Sequence, residues 1–499
     1  MSIKKVTDYI IEFLISKGVT DQFGYPGGVI CHFLDSAKKY EEYIKTHINY
    51  HEQAASFAAC AYAQASGNIG VAYATSGPGA TNLLTGVAQA WFDSIPVMFF
   101  TGQVDTYGLR TDLSMRQRGF QETDIVSMAN PVTKYCVRID SPEYISYELE
   151  KAWHIATSDR PGPVLIDLPA DVQRTFYNFS KCIHYKEDNT DTSDPAKFII
   201  EELTKSFRPV VLAGAGIRQS GQEKPFRSFV EKWKIPVVTS LPALDILEYN
   251  HPLYMGFIGT NGHRYANMIL NKSDLIFTLG SRLDLKQVGN DRSMFSKKIK
   301  LLRVDIDKSE LKYKIKKNEI SINCNLKSLL KKLNEYNNEK YGDANWTSIT
   351  NIIKQKLYYI DNSDFIHACI QKLSQQMSAN TDYTLDVGQN ELWAAQALEL
   401  KKGQRVYMSS GLGAMGYAVP AAIGVYYARK RPVISIVGDG GFQMNVQELQ
   451  FISNHKLPIV IVVINNFALG MIRQFQEKNF DKNYINTTIH SGYSVPDFS

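Results

Sequence analysis

Two polar positions, each following an apolar strand, carry the strongest chemical signal in the sequence. The run Val433–Val437 leads into Gly438-Asp439-Gly440-Gly441, and the run Ile459–Ile464 leads into Asn465-Asn466, with 26 residues (440–465) between Asp439 and Asn466. The carboxyl ends of parallel strands meet at one edge of a sheet, where α/β proteins bind ligands. A carboxylate and an amide oxygen suit Mg²⁺ or Ca²⁺, and glycines let backbone N–H groups approach a phosphate. The spacing therefore predicts a metal–diphosphate site rather than a plain turn.

Two further segments carry groups suited to a cofactor site. The stretch Gly411–Gly416 is glycine-rich and contains Met415, a pattern that on its own is typical of a turn before a packed helix. Glu52 opens an alanine-rich helical stretch through Ala65, where a carboxylate is stabilised by the helix dipole whatever its function. Neither segment alone establishes a function.

The elements that must position these residues are short strands alternating with helices. Runs rich in Val and Ile recur along the chain and end in Gly, Ser, Asp or Asn, and continuous apolar strands of this kind are typical of parallel sheets covered on both faces. The fold class is therefore α/β. The predicted strands are Val71–Ser76, Ile95–Thr101, Val164–Leu168, Val210–Ala213, Pro236–Thr239, Leu275–Leu279, Leu301–Ile306, Val433–Val437 and Ile459–Ile464.

Two polar stretches divide the chain. Tyr177–Pro195 and Asn334–Asn351 contain few apolar residues, and cutting there predicts three domains at 1–175, 195–333 and 360–499. The middle domain carries the strand–turn–helix pattern Val210–Ile217, whose Gly-x-Gly is only a weak dinucleotide signal.

Composition excludes several classes of protein. With 44% hydrophobic and 21% charged residues, the 499-residue chain is a globular protein and not a disordered one. A net charge of +5 is too small at this length to indicate nucleic acid or an anionic membrane as a partner. The first 19 residues predict an amphipathic helix and not a signal peptide, and no apolar run is long enough to span a bilayer. Six widely spaced cysteines without a CxxC pair favour reduced thiols and a cytoplasmic protein.

The two strand-end motifs together resemble the metal–diphosphate signature of thiamine-diphosphate (ThDP) enzymes. The resemblance implies that Asp439 and Asn466 bind Mg²⁺ through their side chains and Ala468 through its carbonyl. It also implies that Met415 is the wedge that bends the cofactor, that the Gly413 carbonyl accepts from its 4′-amino group, and that Glu52 hydrogen-bonds its pyrimidine. The cofactor-binding set implied is Gly27, Glu52, Gly411, Gly413, Met415, Gly438, Asp439, Gly440, Gly441, Asn466, Ala468 and Met471.

Motifs along the whole chain narrow the resemblance to acetolactate synthase large subunits and pyruvate oxidases. They are Phe23–Gly28, Thr75–Asn82, Ile95–Val97, Thr101–Gln103, Phe120–Glu122, Pro131–Lys134 and Arg160–Val164. The resemblance implies three doubly wound parallel-sheet domains: a ThDP-binding fold, a central Rossmann-like domain and a second ThDP-binding fold. In that group the site forms between two chains, so a homodimer or tetramer is expected, with Phe120 and Gln121 of the partner chain joining Glu52 at the reacting centre.

The implied reaction is decarboxylation of a 2-oxo acid, most simply pyruvate, and transfer of the two-carbon unit to a second carbonyl. With pyruvate as acceptor the product is acetolactate, which enters branched-chain amino acid biosynthesis. The small-molecule 2-oxo acid is the expected partner, a regulatory small subunit is left open, and so is the ligand of the central domain, which is FAD, another nucleotide or none.

Some positions depart from the pattern and keep alternatives open. Lys286 stands where acetolactate synthases have an arginine for the acceptor, Phe475 stands where they have a tryptophan, and the longer loop before Phe120 carries Arg116 and Arg118. These differences favour a ThDP carboligase or decarboxylase with another acceptor, such as a keto-sugar nucleotide in polysaccharide synthesis. The third domain also ends early relative to that family, which suggests truncation and adds an inactive homologue as a third hypothesis.

Overall fold

The computed structural model describes residues 3–112, 114–186, 194–292, 295, 298–337, 342–358 and 365–498. The chain sorts into two compact units. Unit 1 contains 1–188, 382–390 and 407–499, and unit 2 contains 189–381 and 391–406. Unit 2 thus includes residues 365–381, which the sequence analysis assigned to the third domain. The boundaries at 175, 195 and 333 stay predictions, and the boundary residues 1, 360 and 499 lie outside the described residues.

The chain alternates between strands and helices. The strands are β1 Lys4–Lys5, β2 Asp21–Gly24, β3 Lys45–Ile48, β4 Gly70–Ala74, β5 Val97–Gln103, β6 Tyr135–Arg138, β7 Val164–Pro169, β8 Phe176–Tyr177, β9 Pro209–Ala213, β10 Val237–Thr239, β11 Tyr254–Phe257, β12 Leu275–Leu279, β13 Lys300–Asp305, β14 Ile320–Asn323, β15 Asp382–Leu385, β16 Val406–Met408, β17 Val433–Gly438 and β18 Ile459–Ile464. The helices are α1 Val6–Ser16, α2 Cys31–Lys39, α3 Glu52–Ser66, α4 Pro78–Phe92, α5 Ile125–Ala129, α6 Ile145–Thr157, α7 Ala170–Arg174, α8 Ala196–Lys205, α9 Gly216–Gln219, α10 Glu223–Trp233, α11 Arg264–Lys272, α12 Leu285–Val288, α13 Lys308–Lys312, α14 Leu326–Glu335, α15 Trp346–Leu357, α16 Phe365–Gln376, α17 Gln389–Ala397, α18 Ala418–Arg429, α19 Asp439–Met444, α20 Glu448–Asn454 and α21 Gly470–Asn479.

Unit 1 is built on two large sheets, and β1 and β8 form a separate antiparallel pair. The first has the strand order β3-β2-β4-β5-β7-β6 and is parallel throughout, and the second has the order β16-β15-β17-β18. All residues of β4, β5 and β7 are buried, as expected for apolar strands covered on both faces. In the second sheet β17 pairs in parallel with both β15 and β18.

Unit 2 is built on one six-stranded sheet of order β11-β10-β9-β12-β13-β14, parallel throughout. Helix α15 begins inside the second polar stretch that the sequence analysis took as a domain break. Its Trp346 is buried in the core of the unit and donates to the Pro209 carbonyl at 2.9 Å. This stretch therefore contributes to the fold of unit 2.

The helices α3 and α18 connect the two sheets of unit 1. Eleven of the fifteen residues of α3 are buried, because small alanine side chains let helices approach on several sides. The closest approach is at Gly424 of α18, where a Cβ atom would lie 2.0 Å from the carbonyl oxygen of Ala58. Only glycine permits this contact, which packs the middle of α3 directly against α18.

All nine strands predicted from apolar runs are present, with ends shifted by at most two residues. Together with the parallel sheets and their covering helices, this confirms the α/β class. In the part of the chain that the structure describes, none of the helices has both the length and the apolar character needed to cross a membrane.

Candidate functional site

The residues around Asp439 lie at the carboxyl edge of the second sheet of unit 1. Three neighbouring strands, β15, β17 and β18, end there, and the segments that follow them carry Asp386 and Gln389, then Asp439, then Asn466. This is the edge at which the strand-end motifs predict a ligand site.

Asp439 is almost completely buried, with an exposed fraction of 2%. Its Oδ2 accepts a hydrogen bond from the hydroxyl of Tyr493 at 2.9 Å. Its backbone carbonyl accepts from the side-chain amide of Gln443 at 3.2 Å. The carboxylate is therefore held in one orientation at the end of β17.

Asn466 is held from both sides of its amide. Its Nδ2 donates to Oε1 of Gln389 at 3.2 Å, and its Oδ1 accepts from the backbone N–H of Ala468 at 3.1 Å. Ala468 is buried and forms an isolated antiparallel bridge with Thr488. The turn after β18 thus links the ends of β15 and β18.

Asp386 joins the glycine-rich segment 411–416 to this edge. Its Oδ1 accepts from the N–H of Gly416 at 3.0 Å and its Oδ2 from the N–H of Ala418 at 2.9 Å. Burial raises the pKa of Asp386 to about 6, although the backbone N–H donors act in the opposite direction. A Cβ atom at Gly441 would lie 2.4 Å from Oδ1 of Asp386, so only glycine fits there.

The same contacts place Met415 beside the Asp439 loop. A Cβ atom at Gly440 would lie 3.2 Å from Cε of Met415. Gly411 instead donates its N–H to Oδ1 of Asp93, the residue that follows α4, at 2.6 Å. Gly413 has a φ of +70°, which favours glycine. Gly440, Gly441 and Met415 therefore lie together, whereas Met471 is exposed on α21, and none of the described contacts links Gly411, Gly413 or Met471 to the Asp439 carboxylate.

Glu52 starts α3 at the edge of the first sheet. The ring nitrogen of His51 accepts from the backbone N–H of Gln53 at 3.0 Å and caps the helix. The Glu52 carboxylate is half-buried, and its Oε2 accepts from the side-chain amide of Asn82 at 3.0 Å. A Cβ atom at Gly79 would lie 3.1 Å from Glu52 Oε1, so the start of α4 packs closely against this carboxylate. A Cβ atom at Gly27 would lie 2.5 Å from Thr75, which shows that these two residues are also close together.

Phe120 and Gln121 lie in a loop fastened by Glu122. The Phe120 side chain is 86% exposed, and Gln121 has a φ of +64° and packs against the turn at Gly77. The Glu122 carboxylate accepts from the N–H groups of Arg110 at 2.8 Å, Arg118 at 2.6 Å and Gly119 at 3.3 Å. Burial alone would raise the pKa of Glu122, but these donors outweigh it and lower the pKa.

The chain thus holds two clusters in unit 1, one around Glu52 and one around Asp439. Among the described residues, no hydrogen bond joins the Glu52 carboxylate to the Asp439 cluster. Arg116 and Arg118 are exposed, Phe475 is exposed on α21, and Lys286 lies on α12 in unit 2.

Four side chains that contact the clusters were missed by the sequence analysis as candidates: Asn82, Asp386, Gln389 and Tyr493. Asp386 has the signal that found Asp439, a carboxylate directly after a strand, but β15 was not recognised because Asp382 and Thr384 interrupt its apolar residues. Tyr493 lies 54 positions from Asp439, and no local pattern connects them.

The groups present fit a diphosphate bound through a divalent metal ion. Asp439 and Asn466 present a carboxylate and an amide oxygen, the ligand types that Mg²⁺ accepts. Gly440 and Gly441 place no side chain beside Asp439, and at Gly441 the buried Asp386 carboxylate excludes one.

Comparison with known proteins agrees with this geometry. Residues 4–128 match the family "Thiamine pyrophosphate enzyme, N-terminal TPP binding domain", residues 196–333 its "central domain", and residues 386–499 its "C-terminal TPP binding domain". Thiamine pyrophosphate is another name for ThDP. These matches confirm the three-domain α/β fold and ThDP as the cofactor.

Sequence similarity to known proteins covers nearly the whole chain. The acetolactate synthase large subunit of Lactococcus lactis is 38% identical over 95% of this chain and 82% of its own length. The acetolactate synthase isozyme 2 large subunit of Escherichia coli is 34% identical over 98% of this chain and 87% of its own length. A probable acetolactate synthase large subunit of Methanococcus aeolicus is 35% identical over 95% and 82%. The chain therefore belongs to the acetolactate synthase large-subunit family of thiamine pyrophosphate enzymes.

Proposed function

We propose that this protein is a ThDP-dependent enzyme that decarboxylates pyruvate and joins the two-carbon unit to a second carbonyl compound. The observation that carries the proposal is the similarity to acetolactate synthase large subunits along almost the entire chain. With a second pyruvate as acceptor, the product is acetolactate, the entry to branched-chain amino acid biosynthesis. A keto-sugar acceptor and an inactive homologue are not favoured by these relatives.

The diphosphate end of the cofactor is assigned to the Asp439 cluster. Asp439 and Asn466 bind Mg²⁺ through side-chain oxygens and Ala468 through its carbonyl, while the backbone around Gly438, Gly440 and Gly441 accommodates the phosphates. The burial of Asp439 and the hydrogen bonds that fix Asn466 support these roles, because a rigid ligand set binds Mg²⁺ without reorganisation.

The pyrimidine end is assigned to Gly411, Gly413 and Met415 of one chain, with Gly27 and Glu52 of a second chain. ThDP, when bound to these residues, would supply an acidic carbon as the nucleophile and an acceptor for the electron pair released on decarboxylation. The Glu52 carboxyl holds and returns a proton at the pyrimidine ring, and Asn82 fixes its orientation through the 3.0 Å hydrogen bond.

The substrate side is assigned to Phe120 and Gln121, which project from a loop held by Glu122. The exposure of Phe120 supports a homodimer, because a large aromatic ring on the surface of one chain is suited to burial against another. Met471 is assigned to the cofactor by the resemblance alone, since its side chain is exposed on α21. A tetramer, a regulatory small subunit and FAD in the central domain remain open, and a small subunit agrees with the name of the relatives as large subunits.

Release of carbon dioxide from labelled pyruvate tests the proposal. The wild-type chain should release it only when ThDP and Mg²⁺ are both present. Glu52→Gln should lower the rate by about 10²- to 10⁴-fold, the range for loss of a general acid–base group. Glu143→Gln is the matched control, because Glu143 is exposed on an outer turn, and it should act like wild type. A Glu52→Gln rate close to that of wild type would contradict the assignment.

A further inference from the structure

Tyr493 lies beside the proposed metal site, although nothing in the sequence motifs points to it. Its hydroxyl donates to Asp439 Oδ2 at 2.9 Å and accepts from the side-chain amide of Gln443 at 3.4 Å. A Cβ atom at Gly440 would lie 3.2 Å from the same hydroxyl oxygen. The phenol is therefore hydrogen-bonded to the carboxylate and lies where a side chain at Gly440 would begin.

The segment that carries Tyr493 is fastened to the same loops. The backbone N–H of Leu469 donates to the Thr487 carbonyl at 3.0 Å, and the N–H of Tyr493 donates to the Thr488 carbonyl at 3.0 Å. Further on, the ring of Phe498 packs edge-on against Phe442 of α19, with 5.3 Å between the centroids. The position of the Tyr493 hydroxyl is thus set by contacts on both sides of it.

The two oxygens of Asp439 have different surroundings. Oδ2 accepts from Tyr493, and within the described part of the chain no hydrogen bond reaches Oδ1. A phenol has an ordinary pKa of about 10 and is a donor near neutral pH. Its hydrogen bond therefore stops rotation of the carboxylate and leaves one oxygen available for a metal ion.

We propose that Tyr493 is a positioning residue that holds Asp439 in the orientation in which it binds the Mg²⁺ of the cofactor. The inference rests on the proposed function, since it needs the diphosphate–metal complex at Asp439. Residues that orient a metal ligand by a hydrogen bond typically contribute about 10- to 100-fold to metal affinity.

The test measures Mg²⁺ binding by isothermal titration calorimetry, at a fixed ThDP concentration, in wild type, Tyr493→Phe and Tyr484→Phe. Tyr484 is the matched control, because its hydroxyl also donates to a carboxylate, Glu477 Oε1 at 2.8 Å, but on the exposed side of α21. Tyr493→Phe should raise the dissociation constant of Mg²⁺ about tenfold, whereas Tyr484→Phe should leave it unchanged. The decarboxylation rate of Tyr493→Phe should recover at saturating Mg²⁺.

An affinity for Mg²⁺ within twofold of wild type in Tyr493→Phe would overturn the inference, and so would an equal loss in both variants. The thermal unfolding of the ligand-free proteins is measured in parallel. A large fall in Tm for Tyr493→Phe would assign the phenol to fold stability and would also overturn the inference. Wild-type protein that binds no ThDP with Mg²⁺ would refute the proposed function itself, an outcome distinct from these.

Discussion

Removing the Glu122 side chain should open the loop that carries Phe120 and Gln121. The Glu122 carboxylate is 7% exposed and accepts three backbone N–H groups, those of Arg110, Arg118 and Gly119. Arg110 adds a hydrogen bond from its guanidinium to the Met115 carbonyl at 2.9 Å. In Glu122→Ala the three N–H groups lose their common acceptor, so the loop should populate open conformations.

The magnitude follows from the hydrogen bonds. Each contributes about 1 kcal/mol net of the water that replaces it, and the bond to Gly119, at 3.3 Å, counts for less. The sum is about 2–3 kcal/mol. Since about 1.4 kcal/mol corresponds to a tenfold change in an equilibrium, the open population should rise roughly 30- to 150-fold.

Limited trypsin digestion measures this population, because cleavage of a native loop follows the fraction that is open. The loop contains the trypsin sites Arg110, Arg116 and Arg118, so mass spectrometry can assign each cut. Glu143→Ala, on an exposed turn, is the matched control and should be cleaved at these three arginines at the wild-type rate. Cleavage of Glu122→Ala at the wild-type rate would refute the view that this carboxylate fastens the loop.

Two further predictions concern the packing of α3. Burial raises the pKa of Glu448 to about 7, although Asn49 and Tyr50, just before α3, donate hydrogen bonds to it. When folding raises the pKa of a carboxyl group, the contribution of that group to stability is fully present below its unfolded-state pKa of about 4. The contribution is lost as the pH rises through the folded-state pKa of about 7. Between pH 5 and 7, the free energy of unfolding of wild type should therefore fall by about 1.4 kcal/mol per pH unit relative to that of Glu448→Gln. Denaturant unfolding at each pH measures both free energies. Equal pH dependence of the two proteins would contradict this prediction. Gly424→Ala should lower the free energy of unfolding by about 1–3 kcal/mol, because the added Cβ atom clashes with the Ala58 carbonyl. Gly28→Ala is the control and should not lower it, because a Cβ atom there meets no atom within 4 Å. Equal denaturant midpoints for the two variants would contradict the packing argument.

Much of the fold could be predicted from apolar runs, and three of the strands that were missed, β2, β3 and β15, share a physical cause. Asp21 in β2 pairs with His47 in β3 at 2.7 Å, and both are buried. Asp382 in β15 is likewise buried and paired with Arg429 of α18. Buried polar pairs interrupt the apolar pattern of a strand without exposing it, and the partner of each charge is known only from the fold.

The candidate site could likewise be predicted only in part. Asp439 and Asn466 could be found because parallel strands bring their carboxyl ends to one edge, which is a property of the fold class. The residues that orient them could not, because Tyr493 and Gln389 reach the site from a loop and a helix end whose positions depend on tertiary packing. The roles of the individual site residues accordingly stay predictions.

The most direct test of the proposed function is carbon-13 NMR of [2-¹³C]pyruvate incubated with the purified chain, ThDP and Mg²⁺. Acetolactate labelled at both carbons derived from the pyruvate ketone is the expected product, and it should be absent when ThDP is omitted. Unchanged pyruvate in a protein that binds ThDP and Mg²⁺, or labelled acetaldehyde with no acetolactate, would contradict the assignment as an acetolactate-forming enzyme.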